Sequence, residues 1–243
     1  MRQALVFLAA GMSCLALAAT ATAQDTQATY RLSWDVCDGP GQVVEKVWAG
    51  PGVYTLVLSG RDFTPGDDLD NNVGHDFSID FRPIGGPLPD AWRFDDIGCQ
   101  TGGRLAPSTA AFSKTCPAME GKNAIPIAIF GAATPPTYAQ LRLTSTYDKF
   151  TPVPATRYTF WVIGFNHTYS VLDPTTPGLT CGEVDRQLCI GLNFAILATW
   201  RGVAAYLMTT VGDDEFVTWN GPTSSCAMPT LPATWGSVKS LYR

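Results

Sequence analysis

Prolines interrupt most windows of this chain that are long enough to hold a helix, and no other feature narrows its possible folds as much. Between the prolines and glycines lie short runs in which apolar and polar residues alternate, the mark of half-buried strands. Tyr30-Arg31-Leu32-Ser33-Trp34 is the first, and the pattern recurs at 43–48, 53–59, 77–82, 125–130, 140–145, 158–165, 189–198 and 216–219. Turn clusters such as Asp38-Gly39-Pro40-Gly41, Gly50-Pro51-Gly52, Gly85-Gly86-Pro87 and Asp173-Pro174 separate them. Many short strands without βαβ alternation predict an all-β chain, an antiparallel β-sandwich of immunoglobulin-like or jelly-roll type. Helix is expected only as a short turn within 106–119 and at 235–242, where Trp235, Val238, Leu241 and Tyr242 share a face.

Met1 to Ala23 reads as a secretory signal peptide. Arg2 supplies the positive start, residues 4–10 and 15–19 the apolar run, and Ala21-Thr22-Ala23 the small-residue cleavage site before Gln24. A retained anchor would want about 20 predominantly apolar residues, and Gly11, Ser13 and Thr20 break the run. Lipidation at Cys14 would want a branched aliphatic residue where Gly11 stands. The expected product is residues 24–243, secreted or periplasmic, with no membrane span. No repeat, low-complexity linker or charge block divides it, so it is read as one domain, with Thr134-Pro135-Pro136 the one plausible seam.

Without Arg2 the chain carries 15 basic and 21 acidic side chains, a net charge of −6, and no basic run. That balance argues against nucleic acid and against an anionic membrane surface, both of which need concentrated positive charge. Cys37, Cys99, Cys116, Cys181, Cys189 and Cys226 remain after Cys14 is removed. An even number in an exported chain predicts up to three disulfides, and no C-x-x-C pair favours zinc. Proximity in sequence favours Cys181 with Cys189 and Cys99 with Cys116, leaving Cys37 for Cys226, out of 15 possible connectivities for six cysteines.

The densest polar stretch, residues 67–76, places oxygens at Asp68, Asp70, Asn72 and Asp76 in the manner of a calcium loop. Val73 stands where such a loop needs its glycine, and Ile79 where a bidentate acid would close it, so a solvated turn is the competing reading. His75, in the same stretch, and His167, at a strand end, are the only histidines. With no G-x-S-x-G and no H-E-x-x-H, neither is expected to be catalytic. Asn166-His167-Thr168 matches a glycosylation sequon, and the cyclase-like run 212–216 lacks a second glycine. Among the tryptophans, Trp48, Trp92, Trp161, Trp200, Trp219 and Trp235 could include an exposed sugar-binding platform, against the competing expectation that strand tryptophans fill the core.

Several segments then stand out together. They are Leu32-Ser33-Trp34-Asp35-Val36-Cys37, Leu88-Pro89-Asp90-Ala91-Trp92-Arg93-Phe94 with Gly98-Cys99, Leu188-Cys189-Ile190-Gly191-Leu192-Asn193, Phe216-Val217-Thr218-Trp219-Asn220-Gly221, and the closing Thr234-Trp235-Gly236-Ser237-Val238-Lys239-Ser240-Leu241-Tyr242-Arg243. Over most of its length the chain resembles a family of uncharacterised exported bacterial proteins rich in β structure. The resemblance implies export and one β-rich unit, and it brings no activity and no catalytic residue. Its members usually carry a further cysteine soon after the first, where residues 46–49 here have none.

The sequence thus favours a secreted, non-enzymatic β-sandwich serving as a cell-surface, matrix or ligand-binding module. Structural calcium is the one candidate cofactor, and a glycan or an extracellular protein the expected partner. The alternative is a secreted carbohydrate-active hydrolase using two carboxyl groups roughly 5–9.5 Å apart.

Overall fold

The computed structural model describes residues 29–37, 42–61, 71–133, 135–153, 155–172, 180–199, 202–204 and 216–226. The expected signal peptide, Asp68, Asp70, Trp200 and the expected helix at 235–242 lie outside the described residues. Among the described residues there are eleven strands: β1 (Thr29–Trp34), β2 (Glu45–Lys46), β3 (Val53–Arg61), β4 (Asn72–Pro83), β5 (Leu105–Ser108), β6 (Ile125–Ala132), β7 (Ala139–Phe150), β8 (Tyr158–Asn166), β9 (Leu188–Thr199), β10 (Gly202–Ala204) and β11 (Phe216–Trp219). They form two facing sheets. One has the order β1-β3-β8-β5, and the other runs β2-β11-β9-β4-β7-β6, with β10 paired to β9. Every pairing between these strands is antiparallel except the short β2–β11 contact. The all-β sandwich expected from the alternation is the fold observed. No helix among the described residues is long and apolar enough to cross a membrane.

Period-two patterning decides which side chains enter the sandwich. Along β4, His75, Phe77, Ile79 and Phe81 point inward, while Asp76, Ser78, Asp80 and Arg82 line the outer face. The core takes in Leu32 and Trp34 from β1, Leu56 and Leu58 from β3, Phe160 and Ile163 from β8, and Ile190 and Leu192 from β9. A short 3-10 turn at Asp90–Trp92 drops Trp92 into the same core, where its ring meets Phe165 at 5.1 Å and Trp219 at 5.2 Å. Removing any of these large rings forfeits both burial and close packing, a loss of about 3–5 kcal/mol for a buried aromatic cut back to alanine.

Three local expectations need correction. The stretch 106–119 is not helical: it opens with β5 and continues as irregular chain over the outer side of the four-stranded sheet. The region 43–48 pairs over only two residues. Asn72 to Asp76, read as loop from their polar side chains, are the first part of β4: Asn72 and Gly74 to Asp76 pair across to β7 and β9, with the register shifting at Val73.

The six described cysteines are all paired, but in none of the proposed combinations. Cys37 joins Cys116, Cys99 joins Cys181, and Cys189 joins Cys226, with Cα separations of 6.3, 5.6 and 5.7 Å. Sheet topology overrides sequence proximity. The chain over the outer side of β3 and β8 brings Cys116 beside Cys37 and Val57, and the turn after Trp92 brings Cys99 to Cys181. Each bridge ties segments at least 37 residues apart, so each removes substantial freedom from the unfolded chain. Peptide mapping under non-reducing conditions should recover these three pairs. A Cys37→Ser/Cys116→Ser double variant should lose about 2–5 kcal/mol of unfolding free energy in denaturant titration.

Candidate functional site

Strand β6 ends the seven-stranded sheet, pairing with β7 and with no other described strand. Its even residues Ala128, Phe130 and Ala132 pack on the core. Its odd residues Ile125, Ile127 and Ile129 stand on the outer face, 63%, 54% and 62% exposed. Both faces of this strand are therefore apolar, and Ile125 to Ala132 include no ionisable side chain. Edge strands are ordinarily blunted by charge. Here the one such device is Pro126, which has no N–H to offer a neighbour.

A cleft of about 450 Å³ opens on the outer face beside this row. Ile127, Ile129, Ile196 and Ala198 form its walls, and Asp76, Arg142 and Thr144 its polar part. The Arg142 guanidinium grips Asp76 through Nε at 3.2 Å and Nη2 at 2.6 Å, and Thr144 Oγ1 donates to the same carboxylate at 3.0 Å. Arg142 also lies over the Phe194 ring, 5.9 Å from its centroid. Further along β4, Asp80 accepts from Arg82 at 2.7 Å, Gln140 at 3.0 Å and Asn193 at 3.3 Å. These buried outer-face carboxylates are thus neutralised by fixed donors, as charges held away from water must be.

A second cleft, of about 390 Å³, lies on the other side of the β6 edge. It is bounded by Ala128, Ile129 and Phe130 of β6, by Leu105 of β5, and by the loop carrying Phe94, Asp95, Asp96 and Gln100 to Gly103. Phe94 closes one end against Phe130, their rings 5.7 Å apart. The loop turns back through Gly102 and Gly103, both at φ +82°, a region that side chains with a Cβ avoid. Arg93 binds Asp95 through two bonds of 2.6 and 2.7 Å and holds its carboxyl below the usual carboxylate range. Asp96 is exposed on the same wall.

The residues singled out from sequence lie elsewhere. Trp92, Trp161 and Trp219 are fully buried, so they form no sugar platform, and Trp48 is half-buried against the core. Trp200 and Trp235 lie outside the described residues. Asn72 faces inward, accepting from the Tyr147 hydroxyl, while Asp76 faces outward to Arg142, so these two do not converge on one ion. Among the described residues no three His, Cys, Asp or Glu side chains group as metal ligands would. Asn166 accepts from Thr168 N at 3.0 Å and from its hydroxyl in a local turn. The described lining of either cleft includes no tryptophan, and the only carboxylates there are Asp76, Asp95 and Asp96.

Neither histidine is a surface residue. His75 sits on β4 among Phe77, Phe160 and Trp161, with its Nδ1 3.5 Å from the Tyr147 hydroxyl. His167 stacks on Trp219, rings 5.3 Å apart, with Ser170 Oγ 2.9 Å from its Nδ1. Gln100 anchors that group by donating to Ser170 at 2.6 Å and to the Ala91 carbonyl at 3.2 Å. Burial lowers both imidazoles from 6.5 to about 3, and burial of Tyr147 raises its phenol.

The isoleucine row, Ile196, Arg142 and Asp96 were not singled out by sequence. The stretch 125–130 was read with the alternating strands, yet it is apolar at every position, which marks neither face as the outer one. The chain matches no family model, no curated protein and no solved structure.

The two histidines set a pH dependence. Unfolded, each takes up a proton as the pH falls below 6.5, and folded it stays neutral down to about 3. Their stabilising effect is complete above the unfolded value and shrinks as acid is added, by about 1.4 kcal/mol per pH unit for each. Urea titrations between about pH 6 and pH 4 should show this slope, and His75→Phe should remove one histidine's share of it.

Proposed function

We propose that this protein is an exported, non-enzymatic binding module that docks its partner on the outer face of the seven-stranded sheet, beside β6. The observation carrying the reading is the exposed row Ile125, Ile127 and Ile129 along the wall of the outer cleft. Burying an isoleucine side chain is worth about 1.5–3 kcal/mol, and three in register form a surface that a partner can cover. Export is supported by the signal-like residues 1–23 and by three disulfides, which persist in oxidising compartments. The partner this surface suits is apolar. Among the described residues, Trp34, Trp92, Trp161 and Trp219, the large flat rings that a sugar platform would use, are all inside.

The test compares a glycan array with a displayed peptide library, each probed with residues 24–243 and with an Ile129→Glu variant. The expected result is enrichment of apolar peptides, lost at least tenfold in Ile129→Glu, with the melting temperature unchanged because Ile129 is exposed. Glycan binding that survives Ile129→Glu would overturn the reading.

A further inference from the structure

The β6 edge lies between the two clefts, and Ile129 is a wall of both. We infer that β6 is completed by an added strand from a partner polypeptide: an extended segment, apolar at alternate positions, with a lysine or arginine at an intervening one. The inference rests on the binding-module reading and names its partner.

Side chains of an extended segment alternate between the two faces of a sheet. A strand laid against β6 therefore sends every second side chain over Ile127 and Ile129 into the outer cleft. The intervening side chains enter the lateral cleft, beside Leu105 and Asp96. Main-chain bonds along the edge would supply affinity, and the two clefts would supply selectivity. Pro126 cannot donate, so the run suited to a ladder is 127–132, six residues.

Charge decides what kind of strand fits. The lateral cleft is acidic: Asp95 is closed by Arg93, and Asp96 faces solvent with its charge available to a cation. A second copy of this chain would bring the same uncharged β6, with no cation for Asp96, from a molecule that is itself net negative. A foreign segment carrying a cation matches both clefts, and a second copy matches only the outer one.

The probe is a short capped peptide alternating isoleucine with lysine, titrated calorimetrically into the protein comprising residues 24–243. Two further peptides serve as controls: one N-methylated at alternate amides, the other with glutamate in place of lysine. Saturable binding is expected, reduced at least tenfold by N-methylation and by glutamate. Asp96→Lys should reverse the preference between the lysine and glutamate peptides. Binding indifferent to N-methylation overturns strand addition and leaves the cleft reading standing, whereas binding indifferent to Ile129→Glu removes that reading as well. Failure of the peptide to bind overturns the inference. So does concentration-dependent dimerisation abolished by Ile127→Lys, which would make a second copy the occupant.

Discussion

The Trp34 indole N–H crosses from the four-stranded sheet to donate to the Thr218 carbonyl of the other, at 3.0 Å, and the registry of the sandwich depends on that bond. It fixes β1 over β11, a strand of only four residues with little ladder of its own. Next to it, Trp219 donates to the Val184 carbonyl at 2.6 Å and meets Trp34, Tyr54, Trp92 and His167 with ring centroids 4.7–5.9 Å apart. Indole rings suit this place because each combines a large apolar area with one donor that must be satisfied when buried. The Trp34 and Trp219 donors point at carbonyls on other segments, so at these two rings packing and hydrogen bonding select the same arrangement.

That interior also explains why the chemistry-bearing residues are withdrawn from the surface. His167 is sealed by Trp92, Phe94 and Trp219, and His75 by Phe77 and Phe160. A neutral imidazole packs there as a flat, weakly polar ring. The outer face takes the opposite course: its carboxylates Asp76 and Asp80 are matched to fixed arginines and amides, and among the described residues the isoleucines are the part left exposed. The four-stranded sheet ends at β5 while the wider one continues to β6, and the loop through Phe94 bridges the difference.

Much of the fold was legible in the sequence because alternation is a direct consequence of strand geometry. Tyr30, Leu32 and Trp34 point inward as their spacing implies, and the fold class follows from such runs. The start of β4 was misread because Asp, Asn and His favour turns, even though His75 keeps the parity of Phe77, Ile79 and Phe81. Disulfide partners were illegible for a different reason: connectivity is set by which loops cross which sheet, and Cys181 lies close to Cys189 in sequence yet pairs with Cys99. The β6 surface was illegible because Ile125, Ile127 and Ile129 alternate with Ala128 and Phe130, and two apolar faces give no clue to which one is inside.

The order of the bridges along the chain has a consequence for biogenesis. Cys37 waits for Cys116 and Cys99 for Cys181, so the first two bridges interleave, each enclosing one end of the other. A polypeptide emerging N-terminus first presents Cys37 and Cys99 to an oxidant before either native partner arrives. Pairing in order of appearance would trap the wrong thiols. Reaching the native set calls either for a sandwich that assembles before oxidation or for an isomerase that reshuffles early bridges. Disulfide-exchange capacity then becomes a requirement of its own for obtaining the native protein, separate from the stability of the finished sandwich.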